Sequence, residues 1–363
     1  MERNKNILLY PVSFIYGLIT GFRNFLFNSG ILSSMEFHLP IICVGNITVG
    51  GTGKTPHTEY IAELLKERFK VATLSRGYKR KTRDFRIASA SALVSDIGDE
   101  PMQMFRKLPG VVVSVDRDRV HGVNSLLRDR PEVEVIILDD AYQHRRIKPG
   151  LSILLSGFER PVWKDHMLPY GNLREKRANM KRADVILITK CPENLSVDQM
   201  GHVVKGIDKK SEQKLFFTTL NYKTPIPVFE TGHVLAEPEI SGCSGCGIVL
   251  ITGIANPEPL KDHLKKSFNE IIHLPFPDHY NFNEHDLLRI ASAYNDLKSG
   301  TRYLFTTEKD AVRFRELTNV TEPLRSKFYY VPVEIRFLNK DKDQFDNLII
   351  DYVRKNHRNS RIS

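Results

Sequence analysis

The chain has few cysteines: among its 363 residues there are four, Cys43, Cys191, Cys243 and Cys246. This number is too small for a disulfide-stabilised secreted scaffold and indicates a reducing compartment. Cys243-Ser-Gly-Cys246 has no second Cys pair to complete a zinc site, so we expect a plain loop there and not a metal or redox centre.

The chain also lacks an apolar run that clearly crosses a bilayer. The uncharged segment Ile7 to Phe22 falls short of the ~20 residues that a spanning helix needs, and Pro11 and Gly17 weaken it. No small-residue cleavage site follows, so we do not expect a signal peptide. Its aromatic residues and flanking cations suit a membrane interface. We predict that residues 1–35 form an amphipathic helix on the inner face of a membrane; the alternative is a helix buried against the core.

Acidic residues are outnumbered: 43 Asp and Glu face 53 Lys and Arg, for a net charge of +10 and a pI near 9.3. An anionic partner is therefore expected, and nucleic acid, an anionic lipid surface or a phosphorylated substrate would fit. The chain has no basic-aromatic interleaving and no recognised nucleic-acid motif, so we expect no nucleic-acid partner. No obligate protein partner is evident, and there is no internal repeat.

What the chain does have is an alternation of apolar strands and helices. Continuous apolar runs separated by helical stretches predict a parallel sheet covered on both faces, a doubly wound α/β fold with ligands at the carboxyl ends of the strands. The predicted strands are Ile41–Val44, Val71–Ser75, Val111–Val115, Val133–Leu138, Leu151–Leu155 and Val185–Ile188.

Changes in composition divide the chain into five parts. The core is expected at 36–220, a connector with a short hairpin at Val228 to Val234 at 221–246, and a second, smaller α/β domain at 247–335. Within that second domain, residues 328–335 are expected to form one strand. A C-terminal helix and a basic tail occupy 336–363, and the tail from Arg354 is expected to be disordered.

A glycine-rich loop follows the first predicted strand, and Lys54-Thr55 then opens a helix. Such a loop turns backbone N–H groups and the helix N-terminus toward a phosphate. Lys54 can reach the terminal phosphates and Thr55 can offer its hydroxyl to Mg²⁺. The sequence therefore predicts a nucleoside triphosphate site; the alternative is a glycine-rich turn with no ligand. The strict pattern requires Gly at position 48, where Thr48 stands. The loop residues are Thr48, Val49, Gly50, Gly51, Thr52, Gly53, Lys54 and Thr55.

Other polar groups follow the predicted strands. Asp139 or Asp140 fits a strand-end Mg²⁺ ligand. Gln143 and His144 lie in the next loop, and Arg76 lies after Ser75, so each could meet a phosphate or could decorate a solvated turn. Arg174 lies in a long irregular stretch and could clamp an anionic substrate.

Two acids and a histidine are more ambiguous. Asp99 and Glu100 precede Pro101, and an acid there could be a general base, a Mg²⁺ ligand or only a helix cap. His279 lies in a proline-bounded loop of the second domain, where a histidine is more often structural than catalytic.

Taken together, these strings resemble the tetraacyldisaccharide 4'-kinases of lipid A assembly. They occur in the family's order over most of the chain, and Thr48 is what this family shows. Ala141-Tyr142 replaces its usual Gly-Phe pair. The matching strings are VGNITVGGTGKTP at 44–56, LSRGY at 74–78, GDEP at 98–101, DRDRV at 116–120, LDDAYQH at 138–144, GNLRE at 171–175, FPDH at 276–279 and TEKDA at 307–311.

The resemblance implies an enzyme that moves the γ-phosphoryl group of ATP to the 4'-hydroxyl of an acylated glucosamine disaccharide 1-phosphate at the cytoplasmic face of the inner membrane. It implies that Asp99 is the base, paired with His279, and that Lys54 and the loop amides hold the phosphates. Thr55, Glu100 and Asp139 would surround Mg²⁺. Substrate contacts are implied for Arg76, Arg119, Asp140, Gln143, His144, Arg174 and Glu175.

Two further expectations follow. If His279 comes from the second domain, the site should be completed by closure of the domains on ATP. The rival function is a nucleotide-hydrolysing accessory protein that loads a metal or a partner, which would tolerate deletion of residues 1–30.

Overall fold

A computed structural model describes residues 7–230, 245–322 and 324–360, with side chains described through Asn356. Its strands, in chain order, are β1 (Ile41–Gly45), β2 (Val71–Ser75), β3 (Arg86–Ile87), β4 (Val112–Val115), β5 (Val135–Asp139), β6 (Leu151–Gly157), β7 (Val185–Thr189), β8 (Lys214–Tyr222), β9 (Ile226–Pro227), β10 (Cys246–Thr252), β11 (Glu270–Pro275), β12 (Thr301–Thr307), β13 (Phe328–Val331) and β14 (Val333–Phe337).

The α-helices are α1 (Tyr10–Asn28), α2 (Lys54–Lys66), α3 (Val94–Ile97), α4 (Asp99–Lys107), α5 (Arg119–Asp129), α6 (Val197–Gly206), α7 (Glu258–Leu264), α8 (Glu284–Asp296), α9 (Glu308–Phe314) and α10 (Lys342–Ser360). Short 3₁₀ turns lie at Ile7–Leu9, Val162–Lys164, Arg177–Arg182 and Arg325–Lys327.

The larger sheet has nine strands in the order β14-β8-β7-β6-β1-β5-β2-β4-β3. Its interior strands are parallel, and the edge strands β3 and β14 pair antiparallel. Along β1, Ile41 and Cys43 enter one core and Ile42 and Val44 enter the core on the opposite face. Both faces are covered, which is why these strands read as continuous apolar runs. The predicted doubly wound α/β class is confirmed.

The second sheet has five strands in the order β11-β10-β12-β13-β9 and carries its own apolar cores. The strand expected over residues 328–335 is two strands in two different sheets, separated by Pro332, which has no N–H to donate to a ladder. β13 stays in the second sheet, whereas β14 pairs with β8 in the first. The expected boundary at residue 335 therefore does not coincide with the boundary between the sheets.

The C-terminal segment also returns to the first domain. In α10, Phe345, Ile349 and Val353 are buried against the larger sheet. The expectation of a disordered tail from Arg354 is wrong as far as Ser360, because the helix continues to that residue. Residues 361–363 lie outside the described part.

Two expectations about the connector meet the structure only in part. Residues 231–244 lie outside the described part of the chain. They include most of the hairpin predicted over 228–234, and they include Cys243. Within the described part, β8 runs into the expected connector and β9 pairs antiparallel with β13. Cys43 and Cys191 are buried free thiols, but Cys246 is disulfide-bonded, so the expectation of a plain loop is wrong for Cys246.

Helix α1 contacts the body through a narrow polar stripe. Ser13, Gly17 and Asn24 are its buried residues, and most apolar side chains of the helix are exposed, whereas Leu26 and Phe27 are half-buried. Phe14, Ile19 and Phe22 are each more than 60% exposed. Across the described residues, no helix combines the length and apolar character needed to cross a membrane. The structure thus contradicts the alternative of a helix whose apolar side chains are buried in the core.

Candidate active site

The glycine-rich loop joins β1 to α2 at the carboxyl edge of the larger sheet. Gly53, the N-cap of α2, has φ +84°, and Gly50 has φ +103°, both in the region that favours glycine. Thr48 forms an isolated antiparallel bridge with Leu173, and Val49 N donates to Asn172 O at 2.8 Å. Because position 48 is extended, it needs no glycine, which explains the apparent defect in the pattern.

Side chains brace the loop from within the core. The Asn46 amide donates to the Thr52 hydroxyl at 2.7 Å, and the Thr189 hydroxyl at the end of β7 donates to the carbonyl of Thr52 at 2.8 Å. Asn46, Thr52 and Thr189 are all buried. The loop is therefore held from two sides, by these bonds and by the bridge to residues 172–173.

The two strand-end carboxylates differ in environment. Asp139 is buried and accepts a hydrogen bond from Thr58 Oγ1 at 2.9 Å. Burial and the charge of Asp140 raise the pKa of Asp139 to about 6. Burial also acts to raise the pKa of Asp140, but Lys54, whose Nζ lies 3.7 Å from Asp140 Oδ1, and Arg174 outweigh it, so the pKa is lowered.

Asp99 and His279 meet across the two domains. Asp99 lies in the first turn of α4, with Gly98 as the N-cap, so the simple helix-cap reading is wrong. His279 Nδ1 lies 2.7 Å from Asp99 Oδ2, although 180 residues separate them. His279 has φ +59°, and its ring packs edge-on against Tyr78 with 4.9 Å between the centroids.

Two cations complete this cluster. Arg313 Nη2 donates to Asp99 Oδ2 at 3.1 Å, and Lys309 Nζ lies 3.1 Å from His279 Nε2. Lys309 also lies 3.8 Å from Asp99 and 3.9 Å from Glu100. Burial acts to raise the pKa of Asp99, but the hydrogen bond from His279 and the charges of Lys309 and Arg313 lower it to about 2.

Two residues of this cluster, Lys309 and Arg313, have no role among those implied by the sequence. Lys309 belongs to the TEKDA string at 307–311, but the neighbouring residues do not indicate which group its side chain contacts. Only the packing of α9 against α4 brings both cations to Asp99.

Arg174, Gln143 and Asp140 form one group at the edge of the loop. Arg174 Nη1 donates to Asp140 Oδ1 at 3.3 Å and to Gln143 Oε1 at 3.2 Å. Gln143 Nε2 donates to the carbonyl of Asn46 at 2.7 Å. The structure thus brings together three of the seven expected substrate residues beside the phosphate loop.

The other four lie differently. Arg119 is 1% exposed and donates to the carbonyls of Asp116 at 2.6 Å and Asp139 at 3.2 Å. Glu175 is 2% exposed and accepts from Arg182 at 2.8 Å. A direct substrate contact does not fit the burial of Glu175, which instead supports α1 through the amide of Asn24.

Arg76 and His144 lie beside this group. Arg76 is exposed after β2. Burial, together with the charges of Arg119 and Arg76, lowers the pKa of His144 to about 4, so this imidazole is neutral at pH 7.

Comparisons with known proteins decide the family. The family described as Tetraacyldisaccharide-1-P 4'-kinase matches residues 5–354. The chain belongs to the tetraacyldisaccharide 4'-kinase family. It is 42% identical to the Tetraacyldisaccharide 4'-kinase of Bacteroides thetaiotaomicron over 98% of this chain and 95% of that protein. It is 44% identical to the one from Phocaeicola vulgatus over 99% of this chain and 98% of that protein.

A solved structure agrees with these relatives. The chain is similar to LpxK from Aquifex aeolicus in complex with ATP, with a TM-score of 0.72 and 27% identity, over 95% of this chain and 98% of that one. Membership in the tetraacyldisaccharide 4'-kinase family, and with it the expected class of ATP-dependent kinases, is confirmed.

Proposed function

We propose that this chain transfers the γ-phosphoryl group of ATP to the 4'-hydroxyl of a tetraacyldisaccharide 1-phosphate, a lipid A precursor. The observation that carries the proposal is the position of the Asp99–His279 pair. It lies in the same cluster as Glu100, whose pKa responds to both Asp139 and Lys54 of the phosphate-loop edge. A proton-accepting pair beside a phosphate loop suits phosphoryl transfer to an alcohol.

ATP would be held at the loop between β1 and α2. The loop amides and the start of α2 provide the partial positive charge that phosphates prefer, and Lys54 adds a full charge. Arg174, bound to Asp140 and Gln143, is already oriented toward this edge. Phosphoryl transfer depends on such positioning and charge neutralisation more than on covalent help.

Three groups would hold Mg²⁺: the Thr55 hydroxyl, Glu100 and Asp139. No set of three or more His, Cys, Asp or Glu side chains in the described part of the chain forms a metal cage. Mg²⁺ in kinases is bound by one or two carboxylates together with phosphates and water, so a cage made of protein side chains alone is not required. Burial and the charge of Asp139 raise the pKa of Glu100 to about 7, although a third of its side chain is exposed. Two carboxylates that disfavour each other's charge fit a cation site. When bound, the ion would neutralise charge on the phosphates.

The geometry supports a division of roles within the catalytic pair that differs from the one implied by the resemblance. Asp99 is 1% exposed, its Oδ2 already accepts from His279 and Arg313, and a carboxylate with a pKa of about 2 is a weak base at neutral pH. His279 therefore suits the role of proton acceptor from the 4'-hydroxyl, with Asp99 orienting its ring, as in other paired catalytic sites.

We also propose that α1 rests on the cytoplasmic surface of the inner membrane. Its exposed aromatic and aliphatic side chains would enter the interface, and nearby Arg23 and Arg145 would meet anionic headgroups. The polar side of the same helix reaches the site: Tyr16 OH donates to Arg174 O at 3.2 Å. This hydrogen bond argues against an accessory protein that tolerates loss of residues 1–30, because the deletion would remove a contact to the segment that carries Arg174.

The test uses the full-length protein with labelled ATP, Mg²⁺ and the lipid acceptor in mixed micelles. Label on the lipid at the 4'-position, lost in His279→Asn, is the expected result. Release of inorganic phosphate with no labelled lipid would instead support the nucleotide-hydrolysing accessory protein.

A further inference from the structure

A second lysine lies against the phosphate loop, on the side away from Asp140. Lys190 directly follows β7, and its Nζ lies 3.7 Å from the position that a Cβ on Gly51 would occupy. This residue has no role among those described above. The loop thus has two ammonium groups close to it, Lys54 at the start of α2 and Lys190 beside Gly51.

The backbone around Lys190 is fixed by both of its neighbours. The Thr189 hydroxyl donates to the carbonyl of Thr52 in the loop at 2.8 Å, and Cys191 N donates to the carbonyl of Thr218 in β8 at 3.0 Å. Lys190 itself has φ +57°, in the left-handed region that residues other than glycine rarely adopt. Such a conformation is costly and persists where the surrounding structure imposes it, commonly at functional sites. The fold therefore holds this side chain beside the loop.

The described residues leave the ammonium of Lys190 without a partner. In the part of the chain that the structure describes, neither a hydrogen bond nor an ion pair reaches its Nζ, although the side chain is partly buried. Burial lowers the pKa of Lys190; the charge of Glu159 opposes this effect, whereas the charges of Arg160 and Lys54 add to it. A cation that is partly removed from water needs an acceptor in contact with it, and a bound ligand can supply one.

The position of Lys190 indicates which part of a nucleotide it would meet. In the larger sheet, β5 lies beside β1 on one side, and β6 and then β7 lie on the other. The transferred phosphate belongs on the β5 side, where Lys54 Nζ lies 3.7 Å from Asp140 Oδ1. A nucleotide bound to the loop in that orientation would direct its adenosine half toward β7 and Lys190.

We propose that Lys190 binds the adenosine 5'-monophosphate half of ATP, with its ammonium on an oxygen of that half and its methylene stem against the base. A lysine can do both, because its stem is apolar and its head is a charged donor. The inference rests on the proposed function and adds a residue to its nucleotide site. The roles of the two lysines then differ, since Lys54 serves the terminal phosphates.

The test titrates the full-length protein, with Mg²⁺ and without acceptor, with ADP and with inorganic tripolyphosphate. Lys190→Met removes the ammonium and keeps an unbranched apolar stem. Because a charge-assisted hydrogen bond to the nucleotide is lost, the dissociation constant for ADP should rise by about tenfold. The constant for tripolyphosphate should stay unchanged, because this ligand lacks the adenosine half.

Three further variants serve as controls. Lys54→Met should weaken the binding of both ligands, and Lys190→Arg should keep most of the affinity for ADP. Lys205→Met removes the same charge from an exposed position of α6 and should bind both ligands as the unchanged protein does. With ATP and the lipid acceptor, Lys190→Met should raise the KM for ATP and leave kcat in place. Its melting temperature without nucleotide should not fall, because no protein contact of the ammonium is lost.

Two results would overturn the inference. Unchanged ADP affinity in Lys190→Met would mean that the lysine does not contact the nucleotide. Equal losses of affinity for ADP and tripolyphosphate, with or without a lowered melting temperature, would mean that it only shapes the loop. If the unchanged protein transfers no phosphate to the lipid, the proposed function fails, whereas the ADP titration still decides the role of Lys190.

Discussion

At the residue scale, Asp99 and His279 should govern turnover and leave nucleotide binding alone. Asp99→Asn keeps the side-chain shape but removes the charge that orients His279. Positioned proton transfer contributes ~10²–10⁴-fold, so we expect kcat to fall within that range. The ATP dissociation constant should stay unchanged, because the phosphate loop is untouched. Steady-state kinetics and nucleotide titration measure the two quantities.

The control for this variant is Asp262→Asn, which removes an exposed carboxylate of α7 that pairs with Lys265 one turn away. It should be indistinguishable from the unchanged protein. A fall in ATP affinity of Asp99→Asn that matches its fall in kcat would show that Asp99 acts on the loop and not on the proton transfer.

Glu59 should make stability depend on pH. It is 3% exposed on α2, 2.8 Å from Lys107 and 2.7 Å from Gln103. Burial outweighs the attraction of Lys107 and raises the pKa of Glu59 from 4.5 to about 7. The folded state thus favours the protonated form. This contribution is fully present below about pH 4.5 and is lost as the pH rises to about 7.

Glu59→Gln should remove that dependence. Relative to the variant, the unchanged protein should lose about 1–3 kcal/mol of unfolding free energy between pH 4.5 and 7. Urea unfolding at several pH values measures it. Glu63→Gln, on the exposed side of the same helix, is the matched control and should leave the pH profile in place. A profile shared by all three proteins would place the titrating group elsewhere.

At the scale of elements, the segment 171–174 should hold the phosphate loop in shape. A Cβ on Gly171 would overlap the carbonyl oxygen of His166, so Gly171→Ala must displace the segment that bridges to Thr48. Misplacement of a positioning group by ~1 Å can reduce a catalytic rate about 10²-fold. For the displaced phosphate loop we expect ATP affinity to fall by at least about tenfold. Gly201→Ala, in α6 with open space around it, is the control and should bind ATP normally. Isothermal titration supplies the affinities, and unchanged affinity in Gly171→Ala would show that the loop holds its shape alone.

The exposed face of α1 should matter only where lipid is involved. Phe14 and Phe22 are 63% and 64% exposed, and they make a small contribution to packing. F14S/F22S should weaken sedimentation with anionic vesicles and raise the KM for the lipid acceptor. ATP affinity and melting temperature should be unchanged. Leu288→Ser, 70% exposed on α8, is the control. A lowered melting temperature in F14S/F22S with normal vesicle binding would indicate a packing role.

At the scale of the whole molecule, turnover should depend on how the two domains contact each other. Lys107 of α4 pairs with Glu308 of α9 at 2.8 Å, and Glu316 accepts a hydrogen bond from Val94 N. The closure on ATP expected from the sequence stays a prediction; in the described structure His279 already touches Asp99.

E308Q/E316Q should lower kcat by about tenfold through misalignment of His279 and leave ATP affinity intact. Glu322→Gln, whose carboxylate accepts from Ser326 within the second domain, is the control. Equal losses of kcat and ATP affinity would mean that the contact supports the first domain as a whole.

The sequence by itself determined the features that neighbouring residues encode. The phosphate loop is one, because glycine conformation and the start of α2 depend on adjacent positions. The doubly wound class is another, since strands buried on both faces read as apolar runs. The eight strings also determined the family.

Only the tertiary structure decided which distant groups meet. It brought Lys309 and Arg313 to Asp99, moved β14 into the first sheet and turned Glu175 inward to Arg182. The reason is that these contacts join residues far apart in the chain, and the packing of one sheet and its helices against another sets them. The neighbouring charges then separate two adjacent carboxyls: burial acts to raise the pKa of both, but Lys54 and Arg174 lower the pKa of Asp140, whereas the charge of Asp140 adds to the effect of burial on Asp139.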